Sequence, residues 1–84
     1  MQLVAAAAAQ TPGRIGYVIS AKTLPRAVDR NRLRRCLREV VRTLRPALND
    51  YDVILRVRKA LNRVELDAAV TEATGLLEAL VARP

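Results

Sequence analysis

The 84-residue chain contains no histidine, no phenylalanine and no tryptophan, and its only cysteine is Cys36. Without histidine and with a single thiol, one chain has no disulfide framework, no Cys/His zinc site and no His-based catalytic triad. Tyr17 and Tyr51 are the only aromatic residues, so the core must be built from valine, leucine, isoleucine and alanine. One free thiol fits a reducing setting and predicts a cytoplasmic protein.

The length predicts one small domain spanning residues 1–84. A chain of this size buries only about 60–65% of its unfolded surface, so the core should be thin. Hydrophobic residues make up 51% of the sequence, too many for a disordered protein. Charges interrupt every stretch long enough to span a bilayer, and the apolar run 3–9 lacks the basic start of a signal peptide. We therefore expect neither a membrane segment nor secretion.

The charge is strongly basic and unevenly distributed. Fifteen Lys and Arg residues stand against eight Asp and Glu, a net charge of +7, and thirteen of the fifteen are arginine. Residues 1–63 hold fourteen cations and four acids (net +10), whereas residues 64–84 hold one cation and four acids (net −3). Guanidinium pairs with phosphate in a two-pronged geometry that ammonium cannot copy. The pattern indicates one binding face for a phosphate-rich partner.

The hydrophobic pattern predicts an α+β fold, a small sheet covered on one face by helices, in the order β-β-α-β-α. Residues 2–10 are ambiguous because alanine favours a helix. We interpret them as the first strand of a hairpin that turns at Pro12 and Gly13 and continues into a strand at 14–20. Asp29 should cap the following helix, which ends near Arg45 because Pro46 cannot continue it.

That helix has two distinct faces at about 100° per residue. One face is apolar and should contact the core: Leu33, Cys36, Leu37, Val40, Val41 and Leu44. The other carries five arginines: Arg34, Arg35, Arg38, Arg42 and Arg45. The sequence therefore predicts five guanidiniums on one exposed surface.

Two further elements follow the basic helix. Residues 51–57 form a strand whose unbroken Val53, Ile54 and Leu55 are typical of a strand covered on both faces. Asn62 with Glu65 is a capping-box pattern that opens the last helix. The apolar stripe of that helix is Leu66, Ala69, Val70, Ala73, Leu77, Leu80 and Val81.

Residues 30–35 (RNRLRR), with Arg38, Glu39 and Arg42 behind them, resemble the RNR signature of the bacterial ribonuclease P protein family. Upstream, residues 14–22 (RIGYVISAK) resemble a family strand of the pattern R-x-G-x-x-V-[SA]-K-K. Downstream, residues 51–59 resemble a family strand that begins with Tyr-Asp and ends in basic residues. The resemblance covers about residues 14–80.

This sequence departs from the family pattern in several places. Ala21 replaces the first lysine of a usual pair, and Val41 stands where an aromatic residue is common. The chain is expected to lack the family's N-terminal helix and first strand. In the family that helix is one wall of a cleft for the 5′ leader of precursor tRNA. We expect either self-association through residues 2–10 or a weak leader site, and we also expect little preference for precursor over mature tRNA.

The resemblance implies a protein subunit of ribonuclease P, a ribonucleoprotein endoribonuclease that removes the 5′ leader in tRNA maturation. Its partners would be the catalytic RNA subunit and precursor tRNA. The RNA would perform the hydrolysis with bound Mg²⁺, so the protein would hold no cofactor and no catalytic residue. It also implies that strands 14–20 and 51–57 are parallel neighbours joined by the basic helix in a left-handed crossover, the rare hand.

The expected RNA-binding residues combine the signature with the nearby cations. They are Arg14, Lys22, Arg26, Arg30, Asn31, Arg32, Arg34, Arg35, Arg38 and Arg42. Each arginine can form a bidentate pair of hydrogen bonds with a phosphate. Asn31 can hydrogen-bond a base edge, a 2′-hydroxyl or the turn itself. Their side chains, Arg30, Arg32 and Arg34 among them, are expected to be exposed, so that replacing them should barely change folding.

Several residues allow more than one interpretation. Lys22 could be an ordinary surface lysine. Tyr17, facing the presumed cleft, is either a core residue or a stacking platform for a leader base. Tyr51 is expected in the core or at a cap, and Cys36 as a buried thiol. Asp52 and Glu39 are expected to be ion-pair partners of arginines, and the acids of the last helix a solvated face.

Two other functional classes fit the sequence. One is an RNA- or DNA-binding module without the ribonuclease P role. The other is a membrane-surface or protein-interaction module that uses the basic helix. Complementation of an RNA subunit in a processing assay would separate the first from the ribonuclease P interpretation. Binding that an RNA competitor does not weaken would favour the second.

Overall fold

The computed structural model describes residues 1–82. Its main elements are strands β1 (Gln2–Ala7), β2 (Ile15–Val18) and β3 (Tyr51–Arg56), and helices α1 (Ala27–Leu44) and α2 (Leu66–Val81). Short 3₁₀ turns at Ala47–Asp50 and Arg63–Glu65 precede β3 and α2. The predicted α+β class and element order are confirmed. No helix within this part of the chain is both long and apolar enough to cross a membrane.

The three strands form one mixed sheet in the order β1-β3-β2. β1 runs antiparallel to β3, with Val4 opposite Ile54, and β2 runs parallel to β3, with Gly16 opposite the same residue. The parallel pairing of the second and third strands is thus confirmed, but the predicted β1–β2 hairpin is wrong. Between them the chain crosses the start of β3, where the Ala8 amide donates to the Asp50 carbonyl. β1 and β2 therefore become the two edges.

The helices cover one face of the sheet. Val53 and Leu55 point into this covered face, where they are almost fully buried. Ile54, between them, points to the opposite face and is 46% exposed beside Val4, which is 52% exposed. The expectation that β3 is covered on both faces is therefore wrong, because α1 and α2 pack against each other on the same side. We call the other side of the sheet the open face.

Helix α1 contacts the core through Leu33, Leu37 and Val41, which repeat every four residues and are buried. Cys36 is only half-buried, so the expected buried thiol lies at the margin of the core. The helix begins at Ala27, two residues before the predicted cap. Asp29 consequently lies in the first turn, where it is buried and its Oδ1 accepts from Nε of Arg63 at 3.4 Å.

Helix α2 starts at the predicted capping box. Oδ1 of Asn62 accepts from the Glu65 amide, and Oε1 of Glu65 accepts from the Asn62 amide, both at 3.1 Å. One 3₁₀ turn separates this box from the α-helix itself. The predicted apolar stripe is confirmed: Leu66, Ala69, Ala73, Leu77 and Leu80 are buried, and Val70 and Val81 are packed against the core at its margin.

Candidate nucleic-acid interface

Helix α1 and the residue that follows it, Arg45, present five arginines on the side turned away from the core. Arg35, Arg38 and Arg42 are exposed, and Arg34 and Arg45 at its margins are partly exposed. We call these five residues the arginine face. They share a surface because residues three and four apart in a helix are neighbours, while the leucines at 33 and 37 hold the opposite side in the core. The geometry is that predicted from the helical period.

Glu39 is the acid that contacts the arginine face. Glu39 accepts from Nε of Arg42 at 3.2 Å and makes a second contact to Nη2 of the same side chain. The Arg42 hydrogen bond and charge lower the pKa of Glu39 below its usual value. Nη1 of Arg34 donates to Oδ1 of Asn31 at 3.4 Å, which places that amide on the edge of the same surface. The face keeps a large excess of positive charge.

Arg30 has a different environment from the other arginines of the signature. Its Nη1 donates to the carbonyl oxygens of Leu24 at 2.7 Å and Pro25 at 2.9 Å. The expectation that Arg30 is exposed and structurally neutral is therefore wrong. At about 100° per residue Arg30 falls between Leu37 and Val41 on the helical wheel, on the buried stripe. That position was the sequence signal that could have revealed its bracing role.

The remaining predicted cations lie at the two ends of α1. Lys22 and Arg26 are exposed in the loop before α1, Arg32 is exposed in the first half of α1, and Arg14 is exposed just before β2.

The amide of Leu61 donates to the carbonyl of Thr23 at 2.8 Å, which brings the loop after β3 against the loop after β2. Arg58 and Lys59, absent from the predicted site, are exposed on that loop. Because the parallel strands β2 and β3 end at the same edge of the sheet, the loops that follow them lie together. This relationship could have added Arg58 and Lys59 to the predicted residues.

Tyr17 lies on the covered side of the sheet, beside α1. The guanidinium carbon of Arg38 stands 5.9 Å from the centre of its ring, within the range of a cation–π contact. Burial raises the pKa of the Tyr17 phenol, and the charges of Arg38 and Arg45 oppose that shift. Tyr17 is half-buried and packs against the core, as the first of its two interpretations predicts. The exposed part of its side chain lies beside the arginine helix.

Arg45 is fixed at the C-terminal end of the arginine face. Its Nη2 donates to the Gly13 carbonyl at 3.1 Å, and its Nη1 donates to Oδ1 of Asn49. Beside it, Oδ1 of Asp52 accepts from the backbone amide of Arg14 at 2.8 Å. Asp52 is thus bound by a backbone N–H instead of the predicted arginine side chain, whereas Glu39 does pair with arginine as predicted.

The family model for Ribonuclease P matches residues 1–81. The chain belongs to the ribonuclease P protein family. The match confirms the resemblance and extends it from about residue 14 to include β1. Within residues 1–82, no group of three Cys, Asp or Glu side chains comes together as a metal site would require.

Curated relatives in this family are called ribonuclease P protein component. That of Chromobacterium violaceum is 37% identical over 70 residues, which is 83% of this chain and 54% of the relative. That of Azotobacter vinelandii is also 37% identical over 70 residues, 83% of this chain and 53% of the relative. The Xanthomonas campestris protein is 43% identical over 51 residues, which is 61% of this chain and 34% of the relative. The chain thus spans about half the length of the curated relatives it matches first. No solved structure gives a significant match.

Proposed function

We propose that this protein acts as the protein subunit of ribonuclease P, in which it binds the catalytic RNA subunit and precursor tRNA and assists removal of the 5′ leader. The observation that carries the proposal is the arginine face on a chain of this family. Five guanidiniums share one side of α1, with Glu39 as the acid among them. In this proposal the RNA and its bound Mg²⁺ perform the hydrolysis in the cytoplasm, and the protein contributes phosphate contacts.

The dimensions of the arginine face suit a nucleic-acid backbone. From Arg34 to Arg45 it extends about 16 Å along the helix at about 1.5 Å per residue, which is enough for several consecutive phosphates. Exposed Arg32 adds positive charge in the first half of α1, and exposed Lys22 and Arg26 add it in the loop before the helix. Contacts of this kind hold the protein in register on RNA without reading its sequence.

The experiment measures affinity for the RNA subunit as a function of salt concentration. We expect Arg32, Arg34 and Arg35 changed together to alanine to weaken binding and to flatten the log–log salt slope by up to about 2.7, at about 0.9 per lost phosphate contact on a duplex. The matched control changes the same residues to lysine, which keeps the charge and the slope but loses the fork geometry. An unchanged affinity and slope in the alanine variant would contradict the proposal.

A processing assay then separates ribonuclease P function from general nucleic-acid binding. The protein is added to the RNA subunit and precursor tRNA, and leader removal is followed over time. We expect the protein to accelerate cleavage and the triple alanine variant to lose most of that acceleration. Tight RNA binding with no acceleration would support the non-catalytic binding module instead.

We also propose that the β2-α1-β3 crossover is left-handed, as the family resemblance implies. The parallel β2–β3 pairing, with Ile15 opposite Val53, requires a crossover through α1, and the proposed hand rests on the family resemblance. Most parallel crossovers are right-handed, so a right-handed connection in an experimental structure would contradict this assignment.

Self-association through β1 is a further part of the proposal. β1 is an edge strand within residues 1–82 and carries only Gln2 as a polar residue. Its Val4 is exposed on the open face beside Ile54. Exposed, uncharged edge strands invite pairing with another chain. We therefore propose that two copies associate along this edge.

A further inference from the structure

A groove lies between the edge strand β2 and the C-terminal half of α1. It has a volume of about 670 Å³, within the range of ligand sites, and is open to solvent along its length. Its apolar part is formed by Ile15 and Val41, and the ring of Tyr17 stands beside them. Four arginines complete the lining: Arg14, Arg38, Arg42 and Arg45. We call this feature the Tyr17 groove.

We propose that the Tyr17 groove holds one unstacked nucleotide of single-stranded RNA, with its base against Tyr17 and Arg38 and its phosphates on the neighbouring arginines. The inference rests on the proposed function, because it requires that α1 docks on RNA. It goes beyond that function by assigning a base-binding site to a surface that otherwise binds only phosphates. The nucleotide belongs either to the precursor leader or to an unpaired segment of the RNA subunit.

The first support is the pairing of an aromatic ring with a guanidinium. Tyr17 is half-buried, so part of its ring remains open to the groove, and Arg38 lies 5.9 Å from the ring centre. Unpaired bases stack on aromatic side chains and on arginine planes, and both surfaces are present here. Burial raises the pKa of the phenol, so Tyr17 is neutral at physiological pH and does not repel a phosphate.

The second support is the fixed position of Arg45. Its guanidinium is held by the Gly13 carbonyl at 3.1 Å and by the side chain of Asn49. A cation already held in place loses little conformational freedom on binding, which favours affinity. Arg14 is held through its backbone by Asp52, while its side chain remains exposed on the other side of the groove. One arginine with an anchored guanidinium, Arg45, and one with an exposed side chain, Arg14, therefore line the groove with the tyrosine.

The third support is the apolar part of the groove. A surface that binds only the backbone of a duplex needs cations but no ring and no concave apolar wall. RNA duplexes present 2′-hydroxyls and phosphates to proteins, whereas the bases of single strands can be turned outward and stacked. Ile15, Val41 and Tyr17 give one side of such a base an apolar surface to contact. The groove thus fits an unpaired nucleotide better than a helical segment.

The test uses tyrosine fluorescence and short single-stranded RNA. Tyr51→Phe leaves Tyr17 as the only fluorophore, since the chain has no tryptophan. We expect a hexanucleotide to quench this fluorescence, and the same hexanucleotide with abasic central positions to quench it much less. Tyr17→Leu should weaken hexanucleotide binding roughly 5- to 150-fold, the range of one stacked base, and Tyr17→Phe should bind nearly as the unchanged protein does.

Two arms distinguish the source of the nucleotide. Quenching is measured with a leader-derived oligonucleotide bound in the presence of the RNA subunit, and with the RNA subunit alone. Quenching by the leader assigns the groove to precursor tRNA, and quenching by the RNA subunit alone assigns it to the docking surface. Quenching in neither arm, with equal affinity for intact and abasic hexanucleotides, would overturn the proposal.

The abasic comparison uses protein with an intact Tyr17, so it decides the question even if Tyr17→Leu folds poorly. Failure of the groove is also distinct from failure of the proposed function. Arg32, Arg34 and Arg35 lie outside the groove lining. If their alanine variant loses RNA affinity while the Tyr17 variants do not, the groove assignment is wrong and the RNA-binding function stands. If their variant binds RNA normally, the proposed function itself is wrong.

Discussion

The backbone of Gly13 lies directly against the carbonyl of Tyr51. A Cβ atom built on Gly13 would stand 1.9 Å from that oxygen, far inside contact distance, and the neighbouring atoms are backbone that cannot turn aside. The Gly13 amide also donates to the Asn49 carbonyl at 2.7 Å. This contact fixes the loop between β1 and β2 to the start of β3, and with it the carbonyl that holds Arg45.

The first prediction concerns this contact. Gly13→Ala should lower the free energy of unfolding by about 1–3 kcal/mol, as overpacking does, because the loop must move away from β3. Gly75→Ala is the matched control. Gly75 is exposed in α2 with nothing within 4 Å of an added Cβ, so alanine should stabilise the helix by about 0.5–1 kcal/mol. Urea denaturation measures both. Equal effects would contradict the close approach.

The second prediction separates two arginines of the same signature. Arg30→Ala should reduce stability by about 1–3 kcal/mol, because the carbonyls of Leu24 and Pro25 lose a charged donor. Arg32→Ala should leave stability within about 0.5 kcal/mol and reduce RNA affinity instead, because its side chain is exposed. Thermal denaturation and RNA titration of both variants test this. A stable Arg30 variant would show that the loop does not need the brace.

The helical parts of the structure could be predicted from the sequence because their signals are local. The spacing of Leu33, Leu37 and Val41 determines which side of α1 faces the core, and the other side is then the arginine face. The capping box at Asn62 and Glu65 likewise needs only four consecutive residues. Each of these features depends on a period or a short motif that the sequence displays directly.

The sheet and the Tyr17 groove were harder to predict because they depend on contacts between distant residues. A turn at Pro12 and Gly13 is equally compatible with a hairpin and with a loop that crosses the start of β3. The choice depends on backbone hydrogen bonds to Asn49 and Asp50, which no local pattern reveals. Because the hairpin interpretation placed β1 beside β2, the strand order β1-β3-β2 could not be deduced.

The third prediction tests the core of α1. Leu37 is fully buried, so Leu37→Ala should cost roughly 2–5 kcal/mol of stability. Val28→Ala is the control on the same helix, because Val28 is 57% exposed and its loss should change stability by no more than about 0.5 kcal/mol. Urea denaturation distinguishes them. A small effect at Leu37 would mean that α1 does not pack as described.

The fourth prediction concerns the ionisation of Tyr17. Its pKa should lie above the ordinary value of about 10, because burial disfavours the phenolate. Replacing Arg38 by alanine should raise it further, since the Arg38 charge acts in the opposite direction. Ultraviolet titration in the Tyr51→Phe background measures both values. An unchanged pKa in the Arg38→Ala variant would contradict their proximity.

The same shift has a consequence for stability. A folded-state pKa above the unfolded one leaves stability unaffected by Tyr17 below about pH 10, where the phenol is neutral in both states. Stability then falls as the pH rises through the folded-state pKa, because folding must bury a phenolate. Tyr17→Phe should remove this part of the alkaline loss, which denaturation at several pH values would reveal.

The fifth prediction tests association through β1. Val4→Lys should shift the protein toward the monomer in sedimentation experiments, because a charge on an exposed edge strand opposes pairing. Val64→Lys is the control, since Val64 is 85% exposed outside the sheet and should leave the association state unchanged. If the unchanged protein sediments as a monomer at high concentration, the self-association proposal is wrong.

The two helices that pack side by side have opposite charge. α1 contains six arginines against Asp29 and Glu39, whereas α2 contains Asp67, Glu72 and Glu78 and no basic residue. Such a molecule has an electric dipole across its covered side, so a polyanion turns it before contact is made. Collisions then occur preferentially with α1 toward the polyanion and α2 away from it. The acidic helix, which needs no contact with the polyanion, thus raises the fraction of collisions that bring the arginine face into contact, and this effect fades as added salt shortens the reach of the field.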